Sequence, residues 1–202
     1  MMEKYYRKLS DFLVSNHSIK KSDSELYEYA AKVFFQSIIS IVVTIFIGIA
    51  FGMIKECLCF IFVFIILRKF TGGLHAKKYS HCLISSTALI IMSLIVIRVL
   101  EKNHFQIIFM CLTMIAVVII CVLSPIESNN KPLSKNEKKV YKIISVVLSL
   151  VLLILVVLLW LKNSVFSYSI GNGLIVVSTL IVFGIVEINF NNFIERFMGY
   201  YK

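Results

Sequence analysis

The sequence predicts an all-α polytopic membrane protein with about six transmembrane helices. Three observations lead to this fold class: 59% of the residues are hydrophobic, only 16% are charged, and most charges lie between long apolar runs. This composition is outside the range of soluble globular domains. We expect residues 1–202 to form a single transmembrane domain that is embedded in a lipid bilayer.

The N-terminal region has the pattern of an amphipathic helix on a membrane surface. Tyr5, Leu9, Phe12 and Leu13 recur at helical spacing, with basic residues between them. A solvated basic leader would have the same composition, so both interpretations stay open. Residues 1–24 lack the apolar centre of a signal peptide, and we expect insertion to use the first apolar segment.

Six apolar segments follow this region. The first, Val33–Ile54, is free of charge and long enough to cross a hydrocarbon core of about 30 Å. In the second, only Cys57–Leu67 is free of charge, and a helix over these residues would rise by about 16 Å. We therefore predict a short or re-entrant second segment, and a four-span arrangement with re-entrant loops stays open. The other four are Tyr79–Ile97, Asn103–Ile126, Ile143–Leu161 and Asn163–Val186.

The lysines and arginines predict the orientation in the membrane. With six spans, 17 of the 21 fall on one side, in the N-terminal region, in residues 68–78, in residues 131–142 and in the tail. The positive-inside rule then places both termini and the connection at 68–78 on the cytoplasmic side of the cell membrane. Because the basic residues lie between apolar runs and not in one stripe, the net charge of +10 is interpreted as a topology signal. No nucleic-acid partner is expected.

The most reactive side chains lie together in the polar connection RKFTGGLHAKKYSHC at residues 68–82. A cysteine nucleophile needs its thiolate, and a nearby imidazole is the usual means of forming it. On a straight helix, His75 and Cys82 would be separated by about 10.5 Å of rise, too far for a hydrogen bond of about 3 Å. The chain must therefore bend between them, and Gly72 and Gly73 are suited to ending the preceding helix.

A third helix with Ser80 as its N-cap would place Cys82 in the first turn. There, free backbone N–H groups and the positive end of the helix dipole favour a thiolate and could stabilise an oxyanion. His75 is the preferred general base, because His81 lies next to the cysteine and would point elsewhere. Two other interpretations stay open: Cys82 as a small buried hydrophobic residue, and a zinc site that lacks a convincing fourth ligand.

Several residues of this connection together resemble the AgrB family, the accessory gene regulator B proteins of Gram-positive bacteria: Arg68, Gly72, Gly73, His75, Ala76 and Cys82. The resemblance extends to the amphipathic N-terminal region, the six apolar segments and the loop SPIESNNKPLS. It implies a membrane cysteine endopeptidase that processes the precursor of a cyclic signalling peptide for quorum sensing. The alternative is a non-enzymatic transporter or sensor subunit, suggested by six spans with polar stripes.

The resemblance also implies roles for single residues. Cys82 would be the nucleophile and His75 its general base, whereas Arg68 and Lys131 match basic positions implicated in activity. Lys32 stands where the family usually has Gln or Glu, so a third catalytic residue is not assigned.

The expected partners follow from the same resemblance. They are an AgrD-like precursor peptide, the lipid bilayer and a second copy of the chain in a homodimer. We expect the substrate-binding part of the site to include Arg68, Gly72, Gly73 and Lys131. No cofactor and no metal are expected.

Overall fold

The structure is a computed structural model, and it describes residues 12, 14–16, 23–72, 79–102, 105–126 and 134–199 of the 202-residue chain. These residues contain six long helices and no strand, apart from one isolated β-bridge. The helices are α1 (Ser24–Ala50), α2 (Ile54–Thr71), α3 (Tyr79–Lys102), α4 (Gln106–Leu123), α5 (Lys135–Leu161) and α6 (Phe166–Gly199). The predicted all-α polytopic fold class is confirmed.

Four helices among the described residues are long and apolar enough to cross a membrane: Leu83–Lys102, Gln106–Leu123, Lys135–Leu161 and Phe166–Phe190. The apolar part of α1 is shorter, Phe34–Ala50. The second segment is a continuous helix of 18 residues, because the charged residues at both of its ends are helical as well. At 1.5 Å per residue, α2 is about 27 Å long, which is longer than its charge-free part suggested.

The chain divides into two compact units, Met1–Phe46 and Ile47–Lys202. In the first unit, Phe12 is helical and its carbonyl accepts a hydrogen bond from the Asn16 N–H at 3.1 Å. Most of the predicted amphipathic helix lies outside the described residues, so that prediction stays a prediction.

In the second unit, α6 is the central helix and packs against α2, α4 and α5. Every residue from Ser167 to Leu174 is buried. Two glycines allow this close packing: a Cβ on Gly171 would lie 2.7 Å from the ring of Phe109, and one on Gly173 would lie 2.8 Å from Val63. Small residues at helix interfaces are common in membrane proteins. Because lipid is as apolar as the side chains, the helices are held together by close van der Waals packing, which small residues permit.

The turn between α1 and α2 is compact. Gly52 has a φ of 65°, in the left-handed region, and the Met53 N–H donates to the Gly48 carbonyl at 2.9 Å. The guanidinium of Arg98, near the end of α3, donates to the Phe51 carbonyl at 3.1 Å. A cation therefore lies at the carboxyl end of α1, where the helix dipole favours it.

Both ends of α5 carry local signals. Ser134 and Glu137 form a capping box, in which each side chain bonds to the backbone N–H of the other residue. At the other end, Asn163 has a φ of 52° and its N–H donates to the Trp160 carbonyl, while the Ser164 N–H reaches back to Leu159. This is the Schellman pattern of a helix end, with Asn in the left-handed position.

α6 extends beyond the last apolar segment. The sixth apolar segment ends at Val186, and α6 continues to Gly199. Residues 187–198 contain no proline or glycine, so nothing in the backbone chemistry interrupts the helix where the apolar run ends.

Candidate functional site

The carboxyl end of α2 is fixed by Gly72, the first residue after the helix. Its φ of 70° and ψ of −149° belong to a region that only glycine commonly adopts. A Cβ at this position would also overlap the backbone carbonyl oxygen of Ile126. Both the backbone conformation and the available space therefore require glycine, as the sequence predicted for a helix end here.

Gly72 and Ile126 form a parallel β-bridge that joins the end of α2 to the end of α4. The Ile126 N–H donates to the Thr71 carbonyl at 3.0 Å. The segments that follow, residues 73–78 and 127–133, contain Gly73, His75 and Lys131, and all three lie outside the described residues. The structure thus brings together Gly72 and Ile126, the residues that directly precede these two segments.

Arg68, in the last turn of α2, helps to hold this turn. One of its guanidinium nitrogens donates to the Gly72 carbonyl at 2.5 Å, and the side chain is half-buried. The positive charge lies at the carboxyl end of α2, where it is favoured by the helix dipole. Arg68 was predicted to bind substrate, and the described contact adds a role in shaping the backbone of the site.

The end of α4 is held by α5. The Lys142 ammonium donates to the carbonyls of Cys121 and Val122, at 2.5 and 2.9 Å. The hydroxyls of Ser124 and Ser145 lie 2.7 Å apart, and both residues are buried. The ends of α2 and α4 and the start of α5 therefore lie together, and the Phe70 and Tyr141 rings meet edge to face at 5.8 Å.

Cys82 lies at the start of α3. The helix begins at Tyr79, so Cys82 is its fourth residue and is in the first turn, as expected. The prediction that Ser80 is the N-cap is wrong: Ser80 is the second helical residue, because the helix starts earlier than its serine suggested. The first amides of any helix lack intrahelical acceptors, and these precede Cys82 directly. The side chains of residues 79–82 are outside the described set.

The spacing along α3 relates Cys82 to buried residues further along the helix. Cys82 precedes the buried Ser93 by 11 residues, about three turns of a helix with 3.6 residues per turn. Ile90 and Ile97, which are 4% and 0% exposed, lie on the same side. Position 82 is therefore in helical register with the buried positions of α3.

Three features of this region were not found from the sequence: Thr71, Ile126 and Lys142. The Thr71 hydroxyl is fully buried and has no hydrogen-bond partner among the described residues. Backbone pairing such as that of Ile126 leaves no side-chain signature, and Lys142 was counted as a topology charge.

Among the described residues, no group of three or more His, Cys, Asp or Glu side chains could hold a metal ion. The histidines of the zinc interpretation lie outside that search.

The comparisons with known proteins agree with one another. Residues 6–185 match the sequence profile of accessory gene regulator B. An AgrB-like protein of Clostridium perfringens strain SM101 is 29% identical over 148 residues, which cover 69% of this chain and 67% of the relative. A second AgrB-like protein, from strain 13 of the same species, is 28% identical over the same shares. No solved structure matches the chain.

Proposed function

Because the chain belongs to the accessory gene regulator B family, we propose that it is a membrane cysteine endopeptidase that cleaves the C-terminal tail from a pheromone precursor peptide. In this proposal Cys82 is the nucleophile and His75 is the general base. The product is a thiolactone or lactone peptide used in quorum sensing.

The observation that carries the proposal is the Gly72–Ile126 bridge together with the start of α3. Gly72 ends α2 three residues before His75, and Cys82 is the fourth residue of α3, which supports the proposal that His75 and Cys82 are not held apart on one continuous helix. The free amides at the start of α3 supply donors for a thiolate and for an oxyanion.

The reaction follows from these groups. His75 takes the thiol proton, and the Cys82 sulfur attacks the carbonyl carbon at the junction between the core and the tail of the precursor. The C–N bond breaks, the amine of the tail leaves with the proton from His75, and an acyl-enzyme thioester remains. A thiol or hydroxyl inside the substrate then attacks the thioester, closes the ring and releases the Cys82 thiol. Ring closure competes with hydrolysis, so the site must exclude water.

We place this site on the cytoplasmic side, together with both termini, because 17 of the 21 lysines and arginines fall on that side of a six-span arrangement. Arg68 and Lys131 would then attract the acidic tail of the precursor, and an amphipathic leader of the substrate would lie on the same membrane surface. A homodimer is part of the proposal, and crosslinking in detergent tests it.

The experiment compares variants that accumulate equally in membranes with a co-expressed precursor, encoded beside the protein, that has a Cys- or Ser-centred core and an acidic tail. Cys82→Ala and His75→Ala should each abolish cleavage. Cys111→Ala, an exposed cysteine of α4, is the matched control and should cleave normally. Trapping of the precursor core on Cys82 as a hydroxylamine-sensitive adduct would support the thioester. Normal processing by Cys82→Ala would exclude the peptidase and favour a transporter or sensor subunit.

A further inference from the structure

We infer that Lys142 is a positioning residue of the peptidase site. Its ammonium group donates to the two carbonyls at the end of α4 that Pro125 and the bridged Ile126 leave without backbone donors. This inference rests on the proposed function and deepens it. It does not make Lys142 a catalytic residue, because the described contacts of its ammonium group are to the backbone of α4.

The carbonyls in the last turn of α4 show why donors are needed there. The last four carbonyls of a helix have no N–H partner within the helix and take a donor from a cap, from water or from another side chain. Ser124 satisfies the Ile120 carbonyl twice, from its N–H at 3.1 Å and from its hydroxyl at 2.6 Å. The next two carbonyls, of Cys121 and Val122, would ordinarily take the N–H groups of residues 125 and 126.

Neither of those N–H groups is available to α4. Residue 125 is proline, which has no N–H. The Ile126 N–H donates to the Thr71 carbonyl at 3.0 Å, across the bridge to the end of α2. The two carbonyls that lose these donors are the two that the Lys142 ammonium contacts, at 2.5 and 2.9 Å. An ammonium group has three donors, so one lysine can serve both.

Further contacts from the same face of α5 hold the same turn of α4. Ser145, one turn after Lys142, is fully buried and lies 2.7 Å from the Ser124 hydroxyl. Ser149, also fully buried, lies 3.6 Å from the Cys121 sulfur. Residues 142, 145 and 149 share one helical face, so α5 presents a short polar row to α4.

A lysine that serves only as a topology signal would not need these contacts with α4. Lys135 and Lys139, on the first turns of α5, are exposed and can interact with headgroups and water. Lys142 is instead half-buried, and its charge lies against the negative end of the α4 dipole. Without its donors, the Val122 carbonyl would compete with Thr71 for the Ile126 N–H. The bridge would then open, and the segment that carries His75 would lose one of its fixed ends.

The test uses the full chain in membranes and compares Lys142→Met, which removes the donors, with Lys142→Arg, which keeps them. Lys139→Met is the matched control for the loss of a positive charge. One readout is processing of the co-expressed precursor. The other is the pH midpoint for alkylation of Cys82 by iodoacetamide, followed by mass spectrometry of the Cys82 peptide.

We expect Lys142→Met to reduce processing by about 10²-fold, as a misplacement of about 1 Å does in enzymes. Its alkylation midpoint should move from the low value of an activated cysteine towards the ordinary thiol value of about 8.5. Lys142→Arg and Lys139→Met should retain the wild-type midpoint and most of the processing. A general loss of stability would lower the amount of protein without moving the midpoint of the molecules that remain folded.

Two results would overturn the inference. One is a Lys142→Met protein with wild-type processing and midpoint; the other is a Lys139→Met protein that loses as much as Lys142→Met. If Lys142→Met does not accumulate, Ser145→Ala takes its place. Its alkylation midpoint should shift in the same direction, and an unchanged midpoint would count against the inference. The proposed function fails separately, when wild-type Cys82 alkylates like an ordinary thiol and Cys82→Ala still processes the precursor.

Discussion

Replacing Gly72 by alanine tests whether the Gly72–Ile126 bridge shapes the site. A non-glycine residue in this backbone region costs about 1–3 kcal/mol. The added Cβ would also overlap the Ile126 carbonyl oxygen, which belongs to the backbone and cannot rotate away. Separation of the two backbone segments would then break the bond from the Ile126 N–H to the Thr71 carbonyl, worth about 1 kcal/mol.

Together these contributions amount to about 2–4 kcal/mol against the observed arrangement. At 1.36 kcal/mol per factor of ten, the population with a correctly shaped site should fall by about 30-fold to 10³-fold. The assay is the initial rate of precursor processing in membranes, with the amount of protein matched by immunoblot. Because Gly72 follows the end of α2 and the apolar helices themselves are unchanged, Gly72→Ala should still insert and accumulate.

Gly52→Ala is the control for backbone strain alone. Gly52 also has a positive φ, 65°, but a Cβ there meets nothing within 4 Å. It lies in the turn between α1 and α2, at the opposite end of α2 from Gly72. We expect Gly52→Ala to process the precursor within a few-fold of wild type. Equal processing by Gly72→Ala and wild type would refute the importance of the bridge.

Two further predictions concern stability. Ser134→Ala removes the capping box of α5 and should lower the free energy of unfolding by about 1 kcal/mol. The melting temperature in detergent should then drop by about 2–4 °C. Ser134→Asp keeps a cap and should retain the wild-type melting temperature. Gly173→Ala drives a methyl group against Val63 and should cost about 1–3 kcal/mol by overpacking, and adding Val63→Ala should recover part of that loss. A melting temperature unchanged by Gly173→Ala would show that α6 and α2 are not closely packed there.

The helices could be predicted from the sequence because uninterrupted apolar runs carry a strong signal. Helix ends were harder. The charge-free part of the second segment suggested 11 residues, but Lys55 and Arg68 continue the helix on either side, since a charged residue at the end of a membrane helix can reach polar surroundings. Ser80 has the chemistry of an N-cap and is nevertheless inside α3, whose helical residues begin at Tyr79.

The candidate site was only partly predictable. The glycine requirement at position 72 follows from the sequence, since a glycine pair after an apolar helix is a common helix end. Its pairing with Ile126, 54 residues later, does not, because one backbone N–H looks like any other in a sequence. The role of Lys142 could not be predicted either. In the sequence it is one lysine before an apolar run, and only the positions of Pro125 and Ile126 in the structure show which carbonyls lack a donor.

The burial of α6 has a consequence for how the bundle is made. The helix against which α2, α4 and α5 pack is the last of the six in the chain, so it leaves the ribosome after all of them. Until Ser167–Leu174 enters the membrane, the earlier helices have only their contacts with one another, such as those of α5 with α2 and α4. The full core of the bundle can therefore form only once α6 has been made. A chain truncated shortly before Phe166 would keep those contacts but would lose the buried stretch Ser167–Leu174, against which α2, α4 and α5 pack.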